Sequence, residues 1–160
     1  MRLQIKECVE VTAEWLFEYE DIHTGRKWTE GPYKNKVVVG GLNNLAALLI
    51  GENPSNTAAT HLVIGSSTVA VQSDDDLTDM GETFRKAITQ KTRQGAMARM
   101  RTFLLSGEGN GDHKCAGIVA RGTGDAGTGD LLNRLVQPFS KTSSINLTIE
   151  VRWNHQGVSV

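Results

Sequence analysis

The chain reads as a mainly β protein: an antiparallel β-sandwich carrying one short α-helix at about residues 41–51. Three observations predict it. Short runs of alternating apolar and polar residues recur between breaks rich in Gly, Asn and Asp. The last run, 145–153, sets Ile145, Leu147, Ile149, Val151 and Trp153 against Asn146, Thr148, Glu150 and Arg152. That alternation belongs to a strand with one face in the core and one in water. Only one stretch holds a helical period, with Leu42, Leu45, Ala46 and Leu49 at i, i+3, i+4 and i+7.

The elements follow in order. Leu3, Ile5, Cys8, Val9 and Val11 suggest a first strand whose alternation breaks near Glu7. Residues 13–30 form a predicted hairpin: Trp15, Phe17 and Tyr19 alternate with Leu16 and Glu18, 23–26 supply turn residues, and Trp28 begins the return. Residues 36–67 read as strand, helix, loop, strand. Val37, Val38 and Val39 suit a pleated surface, Gly40 and Gly41 end the extended run, and Gly51, Asn53 and Pro54 stop the helix. The helix is expected to plug an end of the sandwich or cover a sheet face. Next come a solvated loop with an N-cap aspartate at Asp74–Asp76, a helical turn or loop at 79–82, and strands at 97–105 and 115–120. In the strand over 96–105, Arg99 and Arg101 share a face with Met97 and Phe103, opposite Ala98, Met100, Thr102 and Leu104. One domain spans 1–153 and a short tail 154–160, which is either disordered alone or adds to a neighbour's sheet edge.

Composition narrows the function. The 160 residues carry 17 basic and 18 acidic groups, so no strong field draws the protein to nucleic acid or anionic lipid. No apolar run is long enough to span a membrane, and 1–11 has no apolar signal-peptide core, so a soluble protein made in the cytoplasm is expected. Catalytic parts are missing. His23, His61, His113 and His155 lack metal-ligand spacing, and Asp74–Asp76 lacks the calcium-loop pattern. Gly122, Gly124 and Gly127 match a dinucleotide spacing without its βαβ setting, and no phosphate-binding loop occurs. No enzyme activity, cofactor, metal or small-molecule substrate is expected. The basic stretch 90–101 lacks the interleaved aromatics that base stacking needs, so Arg99 and Arg101 are read as a solvated or subunit-facing strand face. Trp15, Phe17, Tyr19 and Trp28 are a candidate docking surface for protein or carbohydrate; the competing reading sets the hairpin aromatics in the sandwich core.

The valine run, GLNNLAALL at 41–49 and the strand ending in Gly65-Ser66-Ser67 carry a resemblance. GETFRKAI at 81–88, the strand near 97–105, LLNRLV at 131–136 leading to PFSKT at 138–142, and the closing strand continue it. In that order and spacing, across nearly all of 35–153, the chain resembles small structural proteins of tailed bacteriophages, found among tail, collar and fibre-associated genes. The stretch 114–119 departs from that group's acidic-plus-valine pattern. The resemblance implies a virion component, made in the host cytoplasm, that binds copies of itself and other virion proteins in a closed homo-oligomer. A tail-associated position at a collar, baseplate or fibre attachment is the expectation. A capsid decoration protein and a carbohydrate-binding module are the alternatives.

Cys8 and Cys115 form no CxxC pair or disulfide framework and are expected as free thiols. A thiol count in denaturant without reductant should find both; a mass with one internal bridge would refute this.

Overall fold

A computed structural model describes residues 9–52 and 58–157. Its strands are β1 (Val9–Asp21), β2 (Lys27–Val37), β3 (Ala59–Gly65), β4 (Glu82–Ala87), β5 (Gln90–Gln94), β6 (Met97–Leu104), β7 (Gly111–Ala120), β8 (Asp130–Lys141) and β9 (Ile145–Gly157), with one helix, α1 (Val39–Leu49), after β2. The hydrogen-bonded order is β4-β3-β7-β8-β2-β1-β9-β6-β5, antiparallel throughout. Because β2 pairs first with β1 and then, at Lys36 and Val37, with β8, it turns the ribbon over into two facing sheets. At the opposite corner β4 and β5 are separated only by Ile88 and Thr89. Ile88 donates to Thr60 of β3, and Thr89 donates to Arg101 of β6. The mainly β sandwich with one helix is therefore the observed class.

The core lies between the sheets. Trp15, Phe17, Leu147, Ile149 and Val151 from one sheet meet Leu62, Ile64, Ile118, Leu132 and Phe139 from the other. Phe17 and Phe139 meet across the gap, ring centroids 4.8 Å apart. A second apolar layer, with Val63, Met80, Cys115, Val119 and Leu131, lies outside the β3–β7–β8 sheet. Residues 66–81 cover it as a strap. Arg134 of β8, fully buried, ties the strap down by donating to Asp75 Oδ2 (2.6 Å), Ser67 Oγ (2.7 Å) and the Val69 carbonyl (3.0 Å). Among the described residues no helix is long and apolar enough to cross a membrane.

Several expectations need correction. The valine run is not one strand: β2 stops at Val37, Val38 is the extended N-cap, and Val39 opens the helix. Gly40 and Gly41 therefore belong to the first helical turn. A Cβ on Gly40 would sit 2.3 Å from the Leu131 carbonyl oxygen, and one on Gly41 2.2 Å from that of Leu132. The glycines are there for close approach to β8, and they start the helix two residues early. At its other end Gly51 (φ +73°) donates to Leu48 and Glu52 to Ala47, a Schellman closure. Asp75 is not solvated but buried against Arg134, while Asp76 does cap a 3-10 turn, Leu77–Met80. Phe84 to Ala87, inside the segment 81–88, lie in the sheet-edge strand β4. The tail proposed from 154 is strand as far as Gly157, paired with β1. The strand expected over 3–11 survives as the start of β1, and residues 1–8 lie outside the described residues.

The period-two apolar face of β9 is where it was expected, with Leu147 and Ile149 essentially inaccessible. Leu147→Ala and Ile149→Ala should each cost about 2–5 kcal/mol, the range for a large buried aliphatic cut to Ala. Urea midpoints equal to wild type would contradict this packing.

Candidate interaction surfaces

The residues singled out by sequence fall in two unlike places. Trp15, Phe17 and Tyr19 alternate inward along β1, and all three are buried. As a contact surface they are corrected: the facing sheet takes up their area, so the folded molecule does not present them to a partner. Tyr19 donates to Glu30 Oε2 at 3.4 Å, and burial together with that carboxylate pushes its pKa up. Trp28, half-buried at the hairpin end, stacks on Tyr19 at 5.0 Å, with the Arg26 guanidinium 5.6 Å from its ring centroid. Its exposed edge alone remains of the proposed aromatic platform.

Arg99 and Arg101 stand on the outer face of the other part of the same sheet. Register sets Arg99 of β6 beside Arg152 of β9 and Arg101 beside Glu150. Glu150, on the face expected to be wet, is fully buried because three arginines close over it. Arg99 holds it with two hydrogen bonds, Nε to Oε1 at 3.2 Å and Nη2 to Oε2 at 2.7 Å. Arg152 Nε donates to Oε1 at 2.5 Å, and Arg101 pairs with both Glu150 and Glu18. Burial alone would raise the Glu150 pKa; the hydrogen bonds from Arg99 and Arg152 outweigh it and hold the carboxyl below its ordinary value. The hydrogen bonds to Glu150 also raise Arg99. These arginines are committed within the chain, so their chemistry is that of a clamp tying β1, β9 and β6 together. Beside them Phe103 and Thr148 floor a shallow depression of about 230 Å³.

The feature missed by sequence reasoning is the outward side of α1. Its apolar stripe was expected to face inward as a whole, yet only Leu45 packs on the core. Seating Gly40 and Gly41 on β8 turns the helix so that Gly41 and Leu45 face inward. Leu42 and Leu49 then face solvent, Leu49 88% exposed, and Ile50 beyond them 79%. With Val39, one turn before Leu42, they make an apolar stripe along the outward side of α1. The signal was present: no charged residue occurs from 37 to 51. A solvated helix face normally carries charge, and contiguous apolar exposure marks an interaction site. Next to Val39 opens a cleft of about 470 Å³ walled by Gly40, Asp74, Asp76, Thr78 and Asp130. Among the described residues no group of three or more His, Cys, Asp or Glu is placed to hold a metal ion.

Because the folded Glu150 pKa is depressed, its stabilisation is complete above the ordinary carboxylate value of 4.5 and is lost as pH falls through the folded value. Glu150→Gln should therefore lower the urea midpoint at neutral pH and flatten its fall in acid; identical profiles for the two proteins would remove the clamp. No family model, no curated protein and no solved structure matches the chain.

Proposed function

We propose that this protein is a structural virion component of a tailed bacteriophage, tail-associated at a collar, baseplate or fibre-attachment position. It works by self-association and by docking neighbouring virion proteins. The order and spacing of the segments in 35–153 support the virion assignment. The observation that carries the mode of action is α1: an uncharged helix whose apolar side, from Val39 to Ile50, is open to solvent. Burying such side chains yields about 1.5–3 kcal/mol each, and a sandwich braced by Glu150 and Arg134 presents them rigidly. A sugar platform built on the hairpin loses its support, since Trp15 is inside the core.

Immunogold labelling of tailed particles with antibody to this protein tests the assignment. Label at the tail or its collar is expected; label spread over the head faces would replace it with a decoration role, and unlabelled particles would end it. Leu49→Asp tests the mode of action. It should abolish co-purification with particles or with itself while leaving the unfolding free energy from urea titration within about 0.5 kcal/mol of wild type, as at an exposed site. Unchanged assembly would show that α1 is not a contact.

A further inference from the structure

Charge is segregated along this chain. Residues 37–84 contain no lysine or arginine, but do contain Glu52, Asp74, Asp75, Asp76, Asp79 and Glu82. Residues 85–107 reverse the pattern, with Arg85, Lys86, Lys91, Arg93, Arg99 and Arg101 and no acid. Folding cancels only part of this. Arg85 pairs with Glu82, Lys86 with Glu108, and Arg99 and Arg101 with Glu150. Lys91 and Arg93, both on β5, pair with no carboxylate among the described residues; Lys91 donates to the Ala59 carbonyl. On the acidic side Asp75 is neutralised by Arg134, whereas Asp76 and Asp79 bond only within their own turn and Asp74 has no cation partner among the described residues.

The two uncancelled patches differ in shape. The bases sit on β5, which ends the strand order, is exposed along its whole length and among the described residues has β6 as its only ladder partner. Asp74 and Asp76 rim the cleft beside Val39, and the apolar side of α1 runs away from that rim. An 11-residue helix is about 16 Å long, and a strand of 5 residues spans about 17 Å. Lysine and arginine stems lie readily on apolar surface while their heads reach for carboxylates.

We propose that the acidic cleft and the apolar side of α1 receive the β5 edge of a second copy of this chain. Arg93 and Lys91 would lie against Asp74 and its neighbours, and the side-chain stems along α1. The contact rests on the self-association proposed above and specifies its geometry. Two different patches meet in a contact made once between each pair of copies, so the joint is head to tail and propagates into a ring or a filament. Opposite charges at a rim fix register and exclude like-charged approaches, and added salt weakens the contact.

Sedimentation velocity of the full chain at rising concentration tests it with charge reversals at exposed positions. Arg93→Glu and Asp74→Lys should each weaken self-association roughly tenfold or more, and the double variant, in which the pair is again opposite in sign, should regain most of it. Far-UV circular dichroism and urea midpoints verify that each variant is folded. A wild type that stays monomeric at every concentration overturns the proposal and makes another protein the occupant of the cleft. Single reversals that associate like wild type, or a double variant that fails to recover, overturn it as well. Association that follows the reversals in a protein that labels no particle keeps this contact and ends the virion reading. Labelled particles with charge-insensitive association do the opposite.

Discussion

The two sheets face each other because one strand serves both. β2 is paired to β1 as far as Asn35 and to β8 from Lys36, so the ladder changes partner within one residue step. That constraint places β8 opposite β1, lets Phe139 reach Phe17, and leaves the chain at Val38 on the end of the sandwich. Only a very close approach then lets the next turn pack against β8, and Gly40 and Gly41 permit it. The exposed side of α1 follows from the corner made by β2: the helix has no room to roll its leucines inward.

The ionic groups divide by depth. Arg134 with Asp75 is withdrawn from water, and so is Glu150 beneath three half-buried arginines; losing a partner at either place strands a buried charge. They therefore specify geometry more than they add stability. One holds the strap on the β3–β7–β8 sheet, the other binds β1, β9 and β6. Pairs at the rim, such as Lys27 with Glu20 at 3.1 Å, contribute little to the fold. Cys115 belongs to the buried set: its thiol donates to the Met80 carbonyl at 3.3 Å under the strap, and burial pushes its pKa up, so it is packing material and a poor nucleophile.

What was legible in the sequence is what local periodicity determines. The apolar face of β9, the two faces of β6 and the existence of a hairpin and a helix all follow from spacing. What was hidden depends on distant partners. Alternation in β1 shows that Trp15, Phe17 and Tyr19 share a side, but the opposing sheet decides whether that side meets core or partner. Periodicity sets Glu150 outward; its burial comes from side chains on β6 as well as on its own strand. Asp75 looked solvated because Arg134 lies 59 residues away. The leucines of α1 showed a stripe, yet which arc turned inward was decided by two glycines and two carbonyls of β8.

The pairing of β1 with β9 also sets a timetable for synthesis. The hairpin of β1 and β2 is complete at Val37, but the other neighbour of β1 in the sheet begins only at Ile145: Val9 pairs with Gly157 and Tyr19 with Leu147. At ordinary ribosomal speed the aromatic side of β1 waits on the order of ten seconds for the strand beside it. During that interval an open ladder edge and three large rings are presented to the nascent chain's surroundings. Ladders closed over such separations form slowly. The time of greatest exposure to misassociation is thus during translation, before β9 has closed the ladder beside β1.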